Sequence, residues 1–262
     1  MRALEVQAVL LDLDGVLYVE DDGVPGAADA IGRLRRTRAG LRFVTNTTTR
    51  SRAATLSHLD DLGFVVDDDE LVTPVALARQ VCRDRGHRRV ALFVADETDF
   101  EGLEVVRGEM GADAVIVGDL GDRWTYDALN RAFRLVMNGA ELIALQKNRF
   151  WQRGGGLALD AGPFVAALEY ATGRRATVVG KPSPDFFAEV LRGLGVDAEH
   201  AVMVGDDVET DIGGAMTNGL AGVLVRTGKY REDLVRASVI EPTATVDSIA
   251  DVPAVIARLA RV

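Results

Sequence analysis

The 262-residue chain has room for one large domain or two modest ones, and 48% hydrophobic with 27% charged residues is an ordinary globular balance. A formal charge of -10 argues against a nucleic-acid-binding surface, which needs clustered Lys and Arg. No stretch approaches the roughly 18 consecutive apolar residues of a membrane span.

In chain order, VQAVLL before Asp12 reads as a strand, followed by a loop and a helix around Ala27 to Arg38. Strand LRFV before Thr45 and a helix around Ser51 to Leu62 follow. This β-α-β-α order predicts right-handed crossovers and a parallel sheet. DDDE, Asp67 to Glu70, reads as a solvated turn. A second alternation then begins: helix Val75 to Arg85, strands RVALFVA and AVIVG, helix Tyr126 to Met137, strand ELIAL and helix Pro163 to Ala171. From residue 176 the first pattern resumes with strand ATVV, helix Pro184 to Leu194, strand AVMV, helix Glu209 to Asn218 and strand AGVLV. A strand at Ala244 to Val246 and a helix at Val252 to Leu259 finish the series. The expected architecture is α/β: a Rossmann-like parallel-sheet core from residues 1–74 and 176–262, with an α/β cap domain, 75–175, inserted above its active edge.

Cys82 has no partner for an internal disulfide, which fits a reducing compartment, and its Arg-rich helical surroundings favour packing over nucleophilic chemistry. The opening MRALEVQAVLLDLDG meets acids too early for a secretory signal. A cytoplasmic protein with no nucleic-acid or membrane partner is expected. His58, His87 and His200 are scattered, without ligand spacing, and read as surface residues. Only three of the 30 basic residues are lysines: Lys147, Lys181 and Lys229.

The chemistry stands at strand ends. Asp12, Asp14, Thr45, Lys181 and Asp206 each follow a short apolar run, and open parallel sheets bind ligands outside the carboxyl ends of their strands. In LLDLDGVLY, Asp12 and Asp14 face one small volume if the backbone turns at Gly15; the plainer reading is an Asp-Gly turn that ends the strand. In VGDDVETD, Asp206, Asp207 and Asp211 exceed what helix capping needs. Together with the first pair they would repel strongly without a cation. Carboxylates in a cleft fit Mg²⁺, which takes one or two of them plus substrate phosphate. Thr45 and the backbone N–H groups after it suit phosphoryl oxygens, or a simple helix cap. Lys181, in VVGKPSPDFF, is either a loop lysine or the charge partner of phosphate and nucleophile.

These four motifs in this order resemble the haloacid-dehalogenase-like hydrolases. Within them the resemblance is to the nitrophenylphosphatase-like group with a C2-type α/β cap between the second and third motifs, the group that includes the phospholysine phosphohistidine inorganic pyrophosphate phosphatases. RFVTNTT, GPFVAALEYATG, VVGKP, VGDD and VRTGKY carry the likeness, from about residue 7 to 235. The resemblance implies a Mg²⁺-dependent phosphatase acting on small phosphorylated substrates: phosphomonoesters, pyrophosphate or P–N compounds. It implies Asp12 as nucleophile, forming an aspartyl-phosphate and also ligating Mg²⁺. Asp14 becomes the general acid and base and a Mg²⁺ ligand through its backbone carbonyl. Thr45, Asn46 and Lys181 become the phosphoryl-binding groups, Asp206 a Mg²⁺ ligand, and Asp207 and Asp211 supports behind these ligands. Related proteins often dimerise through the cap, so a homodimer of that kind is a further expectation.

Two cap-side stretches stay open between chemistry and packing. QKNRFWQRGGG, Gln146 to Gly156, combines Phe150 and Trp151 with Lys147, Arg149 and Arg153, and reads as a lid loop or as an ordinary surface loop. RTGKY, Arg226 to Tyr230, borders the pocket or forms a glycine turn. Two rival functions share this fold. A phospho-accepting signalling protein has neither DxDG after its first strand nor a cap-sized insertion, and a catalytically silent binding protein has no need of Asp14.

Overall fold

The structure is a computed structural model describing residues 5–153 and 156–260. Two compact units make up the chain. One comprises Met1–Thr45, Leu56–Val72 and Lys181–Val262; the other comprises Asn46–Thr55 and Thr73–Gly180. The 75–175 insertion read from the sequence thus differs from the observed division, which adds the segment 46–55 and extends to Gly180.

The first unit is built on six parallel strands in the order Ala244–Val246, Ala221–Val225, Ala201–Gly205, Ala8–Asp12, Gly40–Val44, Leu71–Val72. Every residue of Ala8–Asp12 and Ala201–Gly205 is buried. Continuous burial explains why these strands read as unbroken apolar runs and not as alternating patterns. Val9, Leu11, Phe43, Val202, Val204 and Val223 pack with Ile31 and Leu34 of helix Ala27–Arg35 and with Val252, Val255 and Ile256 of helix Val252–Leu259. Asp12 ends the central strand. Asp206 follows the end of its neighbour, so both acids stand at the same sheet edge.

The expected helix Glu209 to Asn218 takes a different form. Val208–Gly213 is a wide, π-type turn, and a short helix, Gly214–Thr217, continues it. The backbone N–H groups of Asp211 and Ile212 both donate to the Asp207 carbonyl, at 3.1 and 3.2 Å, which stretches the turn beyond an α-helical one.

DDDE is solvated at Asp67, Asp68 and Asp69, as expected, but not at Glu70. Asp68–Glu70 forms a helical turn in which the Asp67 backbone N–H donates to Glu70 Oε2 at 3.0 Å. Glu70 is buried and accepts both Nη atoms of Arg35, at 2.7 and 2.6 Å. Burial alone would raise the Glu70 pKa, but the Arg35 hydrogen bonds outweigh it and hold the carboxyl below its ordinary value. A depressed carboxylate stabilises the fold above its unfolded pKa and loses that contribution as pH falls through the folded value. Arg35→Met is therefore expected to cost about 1–2 kcal/mol at pH 7, discounted because Arg35 is partly exposed, and much less near pH 3. Denaturant melts at the two pH values check this; an equal cost at both removes the ion pair as its source.

The second unit has its own sheet of five parallel strands, in the order Thr177–Val178, Glu141–Ala144, Ala114–Val117, Arg89–Phe93, Glu104–Val105. ATVV, expected in the first sheet, is the edge strand here: Thr177 pairs with Ile143, and the Val179 N–H donates to the Ala144 carbonyl at 3.0 Å. A short apolar run announces a strand but not the sheet that will accept it. Helix Tyr126–Met137 covers this sheet with Ala132, Leu135 and Val136, and helix Ala161–Thr172 adds Val165 and Leu168. Trp124 stacks between Phe93 and Phe164, with ring centroids 5.7 and 4.7 Å away.

Gln146 to Gly156 is not a plain loop. Phe150–Arg153 and Gly156–Leu159 pair as an antiparallel hairpin, while Gly154 and Gly155 lie outside the described residues. Cys82 is fully buried on helix Pro74–Asp84, and burial pushes its thiol up to about 11, as packing predicts. The histidines are less exposed than expected. His58 meets the Tyr18 ring edge-on at 5.0 Å, and His87 Nε2 lies 2.8 Å from Glu141 Oε2.

Candidate active site

The chemistry of the first unit gathers where Ala8–Asp12 and Ala201–Gly205 end. Lys181, 1% exposed, donates Nζ to Asp12 Oδ1 at 2.6 Å and pairs with Asp211 Oδ1 at 2.8 Å. Ligand oxygens of Asp12, Asp206 and Asp211 all lie within 4.8 Å of one another, and all three residues are buried. Residues 12, 181, 206 and 211 are thus one cluster, although nearly 200 positions separate its extremes.

One ammonium does not balance three buried carboxylates. Burial would lower the Lys181 pKa, yet the charges of Asp12 and Asp211 outweigh it and hold the amine protonated, above the ordinary lysine value. Burial pushes Asp211 up to about 7, with repulsion from Asp12 added and Lys181 pulling the other way. Asp206 is raised well above the ordinary carboxylate range by burial first and Asp12 second. Its Oδ2 accepts the Lys229 backbone N–H at 2.6 Å, while its Oδ1 is buried with no hydrogen-bond partner among the described residues. A buried oxygen without a donor is costly in an otherwise satisfied interior. An oxygen-only, anionic donor set of this kind fits a hard divalent cation, which would neutralise the excess charge and engage that oxygen.

Two glycines make the cluster possible. Gly15 and Gly228 adopt positive φ values of +81° and +62°, and a Cβ at either position would collide with Asp206 Oδ2. The backbone passes close to the carboxylate because neither residue has a side chain there. Thr227 ties the two loops together by donating its hydroxyl to the Gly15 carbonyl. RTGKY is therefore part of the site's wall. Lys229, which the sequence reading did not number among the site residues, is half-buried, and its amine is held above the ordinary value. Burial alone would lower it, and Asp206 and Asp12 overcome that. Its scarcity in an arginine-rich chain was the available signal.

The remaining candidates separate. Asp207 caps the wide turn, its Oδ1 accepting the backbone N–H groups of Glu209 at 2.9 Å and Thr210 at 3.0 Å. Its backbone N–H donates to Asp211 Oδ2 at 3.2 Å. Of the two acids expected to stand behind the ligands, Asp207 is a helix cap and Asp211 is inside the cluster. Thr45 is buried at the end of its strand, where its N–H donates to the Val72 carbonyl at 3.3 Å. Asp14 is partly buried and bridges Tyr18 through the backbone. Asn46 belongs to the second unit, where its Nδ2 donates to Asn148 Oδ1 at 3.3 Å.

Comparison with known proteins agrees with this geometry. Residues 9–106 match the family described as haloacid dehalogenase-like hydrolase, and residues 178–252 match the related HAD-hydrolase-like family. The human haloacid dehalogenase-like hydrolase domain-containing protein 2 is 48% identical over 232 residues, 88% of this chain and 87% of that protein. The chain belongs to the haloacid dehalogenase-like hydrolases. Another member of this hydrolase family, human phospholysine phosphohistidine inorganic pyrophosphate phosphatase, is 37% identical over 95% of this chain and 94% of its own length. Among solved structures, 4-nitrophenylphosphatase from Thermotoga maritima superposes with a TM-score of 0.88 at 26% identity, covering 96% of this chain and 98% of its own. Glycerol phosphate phosphatase from Mycobacterium tuberculosis, solved in complex with magnesium, gives 0.81 at 31% identity, covering 94% and 75% respectively. In this hydrolase family member the parallel-sheet core and the inserted α/β unit are those of its structural neighbours.

Proposed function

We propose that this hydrolase is a Mg²⁺-dependent phosphatase that cleaves small phosphorylated compounds through an aspartyl-phosphate on Asp12. The observation that carries this reading is the buried Asp12–Lys181–Asp211 pairing beside Asp206, whose Oδ1 has no hydrogen-bond partner among the described residues. Phosphatase names among the relatives and a magnesium complex among the structural neighbours support it. Asp12, Asp206 and the Asp14 backbone carbonyl would hold the cation, with Asp211 close enough to share in it. When bound, Mg²⁺ supplies charge neutralisation for the acids and the phosphoryl oxygens.

The protein's own groups divide the work. An Asp12 carboxylate oxygen attacks phosphorus as the bond from phosphorus to the leaving group breaks, and the Asp14 carboxyl gives the leaving atom its proton. Asp14, now a carboxylate, takes a proton from water as that water attacks phosphorus, releasing phosphate and restoring Asp12. Lys181 offsets the repulsion between carboxylate and phosphate, and Thr45 and Asn46 hold phosphoryl oxygens. Beyond the leaving atom that Asp14 protonates, none of these groups is given a role on the departing part of the substrate, which leaves phosphomonoesters, pyrophosphate and P–N compounds as the substrate class. Cytoplasmic residence belongs to the same proposal; among the described residues no helix is long and apolar enough to cross a membrane.

Phosphate release from a panel of small phosphorylated compounds, with Mg²⁺ and with excess chelator, tests the reading. A Mg²⁺-dependent signal lost by about 100-fold or more on chelation is expected; release that ignores the chelator defeats it. A long-lived phosphoprotein with no turnover would favour the phospho-accepting signalling reading instead. A melting experiment adds a pH signature. Asp206 and Asp211 have folded pKa values raised above their unfolded ones, so the stability they contribute is full below about pH 4 and is lost as pH rises through the folded values, about 7 for Asp211. A cation must displace those protons, so Mg²⁺ is expected to raise Tm strongly near pH 8 and weakly near pH 5.

A further inference from the structure

Asp206 Oδ2 sits in a slot between two loops of the first unit. One wall is the loop 226–229, which follows strand Ala221–Val225 and is anchored at its base where the Arg226 N–H donates to the Val246 carbonyl at 3.0 Å. The other wall is Gly15, fixed by its own N–H, which donates to the Tyr18 carbonyl at 2.7 Å. A Cβ added at Gly15 or at Gly228 would collide with Asp206 Oδ2, and one at Gly228 would strike Gly15 Cα as well. Backbone therefore packs on backbone, with the carboxylate oxygen between the two walls. Within the slot Oδ2 accepts the Lys229 backbone N–H at 2.6 Å. The Thr227 hydroxyl joins the walls by donating to the Gly15 carbonyl.

The last torsion of aspartate is broad and roughly two-fold, so a carboxylate gripped at neither oxygen turns easily. Gripping Oδ2 removes that freedom and keeps Oδ1 in one place. Oδ1 is the atom buried without a hydrogen-bond partner among the described residues, and so the atom a hard cation would engage. The grip lasts only while the two walls stay together. A hydrogen bond from one wall to the other resists their parting, and the β-branched side chain of threonine keeps its hydroxyl from swinging away. We propose that Thr227 is a positioning residue for the divalent cation: by clasping Gly15 it keeps Asp206 Oδ2 on the Lys229 N–H and Oδ1 set to ligate. This deepens the Mg²⁺ part of the phosphatase reading and rests on it.

The test is calorimetric titration of the full chain with Mg²⁺ alone, without substrate and well below the melting temperature. Thr227→Val keeps the shape of the side chain and removes its donor. It is expected to raise the Mg²⁺ dissociation constant by about tenfold, as loss of a group that orients a metal ligand does. Thr227→Ser restores a hydroxyl and is expected to stay within about threefold of the native constant. Thr227→Ala carries the valine expectation should the valine variant fail to fold. Melts in excess chelator run in parallel, because a merely structural hydroxyl would lower Tm there and leave the dissociation constant unmoved. Unchanged affinity without the hydroxyl, or an equal loss in the valine and serine variants, overturns the positioning role. A native chain that binds Mg²⁺ keeps the underlying reading safe from that result, whereas one that takes up no Mg²⁺ overturns both.

Discussion

Asp12→Asn is expected to lower phosphate release by on the order of 10⁴-fold or more, as loss of an attacking group does in other covalent enzymes. The substitution keeps the shape of the side chain and removes only the charged oxygen that would attack phosphorus. It is also a selective probe, because the fold should survive it. Lys181 keeps Asp211 as its partner at 2.8 Å, and Asp206 and Asp211 lose a like charge that raises both of their pKa values. In chelator, the variant's melting temperature near pH 8 is therefore expected to equal or exceed that of the native chain. Steady-state phosphate release and thermal melts measure the two effects separately. A variant within tenfold of the native rate would remove Asp12 from the role of nucleophile.

Lys181→Met should damage both activity and stability, and only the stability loss should depend on pH. The amine is almost fully buried and pairs with two carboxylates, so its removal leaves those charges without compensation. Breaking a buried pair by deleting one partner costs about 3–5 kcal/mol. The acids can escape that cost by taking up protons. Asp211 already sits near 7 with the lysine present, and without it the pKa moves higher still. The penalty is therefore present at pH 8 and much reduced near pH 5, and melts in chelator at both values check it. Turnover should fall by about 10²–10³-fold at every pH, because loss of a preorganised charge is not repaired by protonating its neighbours. A variant as stable as the native chain at pH 8, or retaining a tenth of its activity, contradicts this account.

Much of the first unit was legible because its strands are buried on both faces. AGVLV occupies the very residues its apolar run marks, and the partly exposed strand Ala244–Val246 also falls where expected. Helix Pro184–Leu194 is equally clear, opened by a proline and closed by Gly195 in the left-handed region. Strand-end placement also sufficed to bring Asp12 and Asp206 to one edge, whereas Lys181 joins them although the strand before it pairs in the other sheet. What escaped has more than one cause. Two-residue strands such as Leu71–Val72 and Glu104–Val105 are too short to carry a period. Phe150–Arg153 and Gly156–Leu159 form a hairpin with no regular polar alternation to announce it. The three acids after Ala201–Gly205 were visible, but only the wide turn decides that Asp207 caps while Asp211 faces Lys181. The link from Asn46 to Asn148 spans 102 positions, and nothing local to either residue signals it.

The way the six-stranded sheet is threaded bears on how the protein is made. Ala8–Asp12 lies in the middle of that sheet, flanked by Gly40–Val44 and by Ala201–Gly205. A nascent chain therefore carries this strand with one flank bare until nearly 200 further residues have been polymerised. Such an open flank is a template for pairing with a neighbouring molecule, and contacts of this sequence separation are slow to form. During that interval most of the second sheet's strands and helices emerge as one contiguous stretch. Ribosome-bound intermediates should accordingly acquire that sheet first and depend on chaperones to shield the other.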